Sequence, residues 1–433
     1  MVKAGFSRLD VTPPLGTELA GYFEKRYAKG VLDPVELNAV AFGNETDAAL
    51  IVACDFTGMN YLCGKELRAR ISARTGVAAD RIILCTLHQH TSFRVGDFMH
   101  AVPAMRDAPF LDLLYRKFED TAQMAVDDLC EAVPETAAQE ATTPLSFTRR
   151  YRLEDGTVAT NPSSKGPRPV ARCDRDDNAV RLLRFRREGK KDIALISFST
   201  HADVIGGERV SADWPGFARR FVEAMIPDAH CVCIVGPQGD SNHVDFLKPS
   251  AERFPEGGGY AHSRYMGRVI ADTVAQMWDK TVPHAGGAVF GGVELVYNKT
   301  NTAGEEDFEA CRKLYDRYEA GEIPVCPNHP YVRRVAHLRT APIWQTVPVT
   351  VLGLGDITFV GFGGEAFTAY AYDTERLAGG KTVFCVTMAN GNEGYLVTDA
   401  AFAEGGYEVT NTNFTAGIQR DCIAAAQKLL GKF

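Results

Sequence analysis

The chain has 433 residues, 45% hydrophobic and 24% charged, with 40 glycines and 21 prolines, enough for one large or two moderate globular domains. A net charge of −8, with no basic cluster interleaved with aromatics, argues against nucleic acid or an anionic membrane surface as a partner. No apolar run approaches the roughly 20 residues of a spanning helix, and eleven cysteines without a CxxC pair predict free thiols in a reducing cytoplasm.

The N-terminal stretch MVKAGFSRLDVTPPLG lacks an apolar core of signal-peptide length. Residues 5–22 begin like a strand and are stopped by Pro13, Pro14 and Gly16. Residues 35–42 alternate apolar and polar, and 49–53 are continuously apolar, so both read as strands. A helical pattern over 60–75 and a strand over 81–86 complete a β-β-α-β order, which points to an α/β layered domain. Residues 109–131 predict a long helix with Leu111, Leu114, Phe118, Ala122 and Ala125 on one face. A hairpin turn is expected at 154–157, followed by an aperiodic loop over 161–172.

Strands follow at 179–185 and 192–199, the second running straight into Thr200 and His201. A helix at 215–225 leads to a β run at 230–235, which opens into the polar turn 236–242. Helices are predicted at 260–277, 305–320, 366–377 and 413–430, with a Pro-rich loop at 321–331. The remaining strands lie at 287–298, 349–354, 357–362 and 382–388. With no internal repeat or clean linker, the reading is one α/β domain over 1–433, a large mixed β-sheet flanked by helices.

The chemistry concentrates at strand ends. His88 and His90 follow the strand 81–86; strand alternation would turn both imidazoles the same way, a start for a zinc site. His201, Asp240, Glu365 and Tyr395 each follow another apolar run, where ligands gather in layered α/β folds. Each also has an ordinary reading: Glu365 as a helix cap, Tyr395 as a packing aromatic, Asp240 as a turn residue, Asp55 as a turn or supporting acid. His100, His230, His243, His262, His284, His329 and His337 have no partner pattern and are read as ordinary.

Taken together, these residues resemble the catalytic domain of the neutral, non-lysosomal ceramidases and its shorter bacterial relatives. The resemblance is carried by DVTPPLGTELAGY at 10–22, by Thr86 to Ser92 (TLHQHTS), by Phe198-Ser199-Thr200-His201, and by Ser211-Ala212-Asp213 and Gly239-Asp240-Ser241. Gly364-Glu365, NGNEGYLVT at 390–398 and Gly406-Tyr407-Glu408 complete it. Two departures stand out: one residue is inserted before His88 with Thr91 before Ser92, and the glycines that follow the histidine motif are replaced by Phe93 to Asp97.

The resemblance implies one Zn²⁺ held by His88, His201, Glu365 and Tyr395, with His90 exchanging protons and Arg149 and Tyr407 holding an oxyanion. Arg150 and Arg152 are close rivals to Arg149. The family's C-terminal immunoglobulin-like domain has no room in the chain. The activity so implied is a zinc-dependent hydrolase cleaving an amide, or an ester or lactone. An entrance charged by Arg94, Asp97, Arg149 and Arg150 suits a small polar or acidic substrate, such as an acylated amino sugar, better than ceramide. A metal-assisted glycosidase or lyase, and a non-catalytic binding protein that retains the metal, are the alternatives.

Overall fold

In the computed structural model, which describes residues 1–96, 105 and 107–433, the large mixed sheet expected is present, and a second, four-stranded sheet accompanies it. The first contains β1 (Lys3–Asp10), β2 (Glu36–Gly43), β3 (Ala48–Cys54), β4 (Ile82–Thr86), β5 (Cys130–Glu140), β6 (Ala179–Arg187), β7 (Asp192–Phe198) and β8 (Ala229–Val235). Its order is β8-β7-β6-β5-β1-β2-β3-β4, with the short strand Val282–Pro283 added to β5. Inner neighbours are antiparallel, whereas the outermost pairs, β3/β4 and β7/β8, are parallel. A parallel pair needs a crossover, supplied by α1 (Tyr61–Thr75) between β3 and β4 and by α3 (Asp213–Met225) between β7 and β8.

Strands β3 and β4 are buried along nearly their whole length, which is why their sequences are continuously apolar. Helix α2 (Ala108–Asp127) starts at Asp107, whose side chain accepts from the Phe110 amide, with Pro109 in the first turn. It buries Phe110, Leu114, Phe118, Ala122 and Ala125, the face expected apart from half-buried Leu111. It approaches β1 so closely that a Cβ on Gly5 would lie 2.1 Å from the Ala125 carbonyl oxygen.

The helix ends at Asp127, four residues short of the expected boundary, because Cys130–Glu140 is strand β5. Its sequence, CEAVPETAAQE, is poor in β-formers and carries Pro134; nine-residue pairing with β6 overrides that propensity. The loop expected at 161–172 ends in a strand, Pro169–Arg172, paired with Arg150–Leu153. The loop expected at 321–331 runs into a helix, since Asn328 turns left-handed at φ 45° and Pro330 occupies the first turn of His329–Ala336.

The second sheet has order β9-β10-β11-β12, from Val289–Lys299, Trp344–Leu354, Ile357–Phe362 and Thr382–Val386. Only β11/β12 is parallel, bridged by helix Ala369–Leu377. The C-terminal helix Ile418–Leu430 packs Ile418, Cys422, Ala426 and Leu429 into this sheet's core.

Residues 387–390, leaving β12, stitch the two sheets together. The Thr387 amide donates to Val235 O of β8 (3.1 Å) and the Asn390 amide to Leu84 O of β4 (2.7 Å). The Asn390 side chain accepts from the Leu84 amide (2.9 Å) and donates to Ile82 O (3.1 Å). One short segment thus satisfies backbone groups of both edge strands of the first sheet.

A buried ion pair lies below the loop that follows β4. Arg219 of α3 donates to both carboxylate oxygens of Asp55, at 2.9 Å for Nη1–Oδ1, and to Glu36 at 3.1 Å. Asp55 also accepts from the Gln89 side chain (3.2 Å), between the two histidines of the motif. Asp55 is therefore a supporting acid. All eleven cysteines are free, and among the described residues no helix is long and apolar enough to cross a membrane.

Candidate metal centre

Strand β4 stops at Thr86, so the pleat does not orient His88 and His90 as expected. The turn is made instead by His88 itself, in the left-handed region at φ 66°. Its amide donates to Phe56 O (3.2 Å) and its Nδ1 to Thr57 O (2.7 Å), which hold the unusual backbone in place. The result is the expected convergence by another route: the ring centroids of His88 and His90 are 4.9 Å apart, and those of His88 and His201 5.2 Å. Candidate ligand nitrogens of His88, His90 and His201 lie within 4.8 Å of one another, a group that could hold a metal ion.

His201 follows β7, and its Nδ1 donates to the carbonyls of Gln238 (2.7 Å) and Ser241 (2.9 Å) in the turn after β8. With Nδ1 donating in these contacts, His88 and His201 both turn Nε2 inward. Glu365 lies on a two-residue strand paired in parallel with Tyr395–Leu396, directly opposite Tyr395, rather than at a helix start. A Cβ on Gly239 would fall 2.3 Å from the Glu365 carbonyl oxygen, so only glycine lets that turn close on the carboxylate segment.

Glu365 Oε2 sits 3.4 Å from His88 Nε2 and 3.3 Å from His201 Nε2, buried and without a hydrogen-bond partner. Charge-assisted hydrogen bonds would draw these atoms to about 2.7–2.9 Å. A tetrahedral zinc bonded at about 2.0–2.1 Å to each would hold them about 3.3 Å apart. Burial works against ionising Glu365, but the two imidazoles hold its carboxyl well below the usual range. Burial, with Arg149 adding to it, lowers His201; burial and His88 lower His90 strongly. Two imidazoles and a carboxylate converging on one point form a donor set that fits a divalent cation. Burial raises the Tyr395 phenol far above its ordinary value despite Arg149, so it stays protonated until a cation shares its oxygen.

The other expected residues border the same cavity of about 400 Å³, which is lined by His90, Arg149, Tyr395 and Tyr407 among others. Arg149 is fixed by Glu408 (Nε–Oε1 2.7 Å) and Gly239 O (2.8 Å), leaving Nη1 3.3 Å from His201 Nε2. Its guanidinium lies 5.3 Å from the Tyr395 ring centroid and 5.9 Å from that of Tyr407. Neither nitrogen of His90 has a hydrogen-bond partner.

No protein-family model and no curated protein sequence matches the chain. In three dimensions it superimposes on the neutral ceramidase from Pseudomonas aeruginosa with a TM-score of 0.73, covering 100% of this chain and 75% of that one at 15% identity. The fold is that of the neutral ceramidases. A ceramidase complexed with C2 gives a TM-score of 0.72 over 99% of this chain and 74% of that one, at 13% identity.

On this ceramidase fold the rivals of Arg149 do other work. Arg150 is wholly buried, bonded to Asp174 (3.0 Å) and Glu404 (3.1 Å), so it does not charge the cavity entrance as expected. Arg152 pairs with Glu404 at the surface. Arg94 lines the cavity, while Asp97 and His100 lie outside the described residues. His329, read as ordinary, also lines the cavity, together with Arg333, which no sequence motif singled out. The rings of His243 and His262 lie 5.3 Å apart, tilted by 45°, beside Asp203 and Glu256, a contact invisible in their spacing.

Asp240 is more than a turn residue. Its Oδ1 accepts from the Thr368 amide and hydroxyl, both at 2.8 Å, while Oδ2 has no partner. Burial, reinforced by Asp174, pushes its carboxyl up to about 8. The folded state therefore keeps a proton that the unfolded chain releases near pH 4, and stability from this group falls as pH rises from about 4 to 8. Asp240→Asn is expected to flatten that slope: the loss in Tm between pH 5 and 8 should be smaller than in the wild type. An unchanged pH dependence in thermal melts would refute this.

Proposed function

We propose that residues 1–433 form a zinc-dependent hydrolase unit that cleaves an amide, or an ester or lactone, in a small polar substrate. The observation that carries this reading is the placement of Glu365 Oε2 3.3–3.4 Å from two imidazole nitrogens whose opposite nitrogens are anchored to carbonyls. His88, His201, Glu365 and Tyr395 would hold the ion, which when bound supplies an acidified water and polarises the scissile carbonyl.

The chain's own groups divide the remaining work. His90, neutral and with both ring nitrogens unengaged, takes a proton from the nucleophile and returns it to the leaving group. Tyr407, raised by burial to about 12, remains a donor at neutral pH. With Arg149 Nη1 it faces the place where negative charge develops on the carbonyl oxygen. Because Arg149 is locked by Glu408 and Gly239 before substrate arrives, its charge needs no reorganisation during reaction.

The first test is a screen of the zinc-loaded protein against N-acyl and O-acyl compounds, acylated amino sugars included. Turnover of amides or esters supports the reading; turnover only of glycosides, or inertness throughout, overturns it. Arg149→Lys keeps the charge but loses the fork. It is expected to lower kcat by about 10²–10³-fold with a smaller change in KM; a loss confined to KM would argue that Arg149 serves binding alone.

A further inference from the structure

The cavity carries more polar capacity than amide hydrolysis requires. Arg333, on the short helix His329–Ala336, is 7% exposed and lines it, yet its Nε has no hydrogen-bond partner. No carboxylate among the described residues forms an ion pair with this guanidinium. Glu319, whose field reaches it, is held by Lys25 at 3.6 Å, and Tyr315 contributes a side-chain hydrogen bond. Arg334, its neighbour, shows the contrast: each of its three nitrogens donates to a backbone carbonyl, of Asn301, Ala303 or Thr410.

A buried, uncompensated guanidinium is costly to a folded protein and is retained where a ligand supplies the missing charge. The wall near it is unfinished in the same sense. Asn392 Nδ2, Asn411 Oδ1 and Asn413 Oδ1 are buried without partners, and all three residues line the cavity. Arg94, on the same wall, feels the charges of both Glu365 and Arg333, so the cationic region lies within electrostatic reach of the candidate metal centre.

We infer that Arg333 forms an anion subsite of this cavity, and that the substrate is a small amide carrying a carboxylate away from its scissile bond. The inference rests on the hydrolase reading for the word substrate, but the subsite stands on its own geometry. A guanidinium is a planar fork that matches a carboxylate, and that of Arg333 keeps its buried Nε unpaired. The asparagine oxygens call for hydroxyl or amide hydrogens on the same ligand. A ceramide, with two long apolar chains, could offer hydroxyl and amide hydrogens to the asparagines but has no anion for Arg333.

The test compares 4-acetamidobutanoate, an N-acyl compound with one carboxylate, with its uncharged primary amide, 4-acetamidobutanamide, by calorimetric titration of the metal-loaded wild type, Arg333→Met and Arg333→Lys. The wild type is expected to prefer the carboxylate by about 10–100-fold in Kd. Arg333→Met should bring the ratio to near one, and Arg333→Lys should restore part of it. Because the free protein carries an uncompensated buried charge, Arg333→Met should melt no lower than the wild type. Equal affinities in the wild type, no measurable binding of either compound, or a preference that survives Arg333→Met would overturn the subsite. Hydrolysis is followed in the same samples. Discrimination without turnover counts against the hydrolase reading and leaves the subsite standing; turnover without discrimination does the reverse.

Discussion

Protein purified without added metal is expected to contain about one zinc per chain, and both His88→Ala and His201→Ala should abolish it. Each variant removes an imidazole whose Nδ1 is anchored to a carbonyl and whose Nε2 sits 3.3–3.4 Å from Glu365 Oε2. With one gone, a single imidazole, the Glu365 carboxylate and the Tyr395 phenol remain, a set too weak to retain the ion through purification. Hydrolytic activity should fall by at least about 10³-fold, since an acidified nucleophile is lost with the metal. Chelator should lower the melting temperature of the wild type and leave both variants unmoved, because only the wild type gains stability from a bound ion. Stoichiometric zinc in both variants, measured by elemental analysis, would dismiss this site.

The second large effect is structural. Arg219→Leu is expected to destabilise the protein by about 3–5 kcal/mol in urea denaturation. The reason is what the substitution leaves behind: Asp55, fully buried, would have only the Gln89 side chain and the Glu36 amide as donors. Pairing Arg219→Leu with Asp55→Asn should recover part of that loss, since the orphaned charge is removed as well. A single-mutant cost below about 1 kcal/mol would mean that water or a rearranged donor reaches Asp55. Because Gln89 links this pair to the loop bearing His88 and His90, the single variant should also bind zinc more weakly.

How far the sequence disclosed all this depends on which physical signal each part leaves. Strands β3, β4, β7 and β8 were legible because burial on both faces imposes unbroken apolar runs. Strand β5 was not, because its pairing with β6 and β1 selects a sequence of alanine and glutamate with no local preference for extension. The naming of His88, His201, Glu365 and Tyr395 as a set came from the family resemblance that the order of short motifs carries, not from the residues alone. The reason given for His88 and His90 was nevertheless mistaken, since a left-handed residue, not strand alternation, turns them together. Arg333 and His329 left no trace, because their helix reaches the cavity through tertiary packing of a Pro-rich segment against Phe308–Glu319. Spacing alone records nothing of that kind.

The stitch made by residues 387–390 bears on how the molecule is built during synthesis. Until those residues leave the ribosome, the free edges of β4 and β8 lack the strand-like segment that satisfies Leu84 and Val235. Everything before residues 387–390 must therefore emerge before either margin is sealed, and the last candidate ligand, Tyr395, follows only five residues after Asn390. Such distant closures slow folding and leave nascent chains open to edge-to-edge association. A ribosome stalled before Asn390 would hold a polypeptide with most of its apolar interior made and nothing yet to keep neighbouring copies from pairing with it.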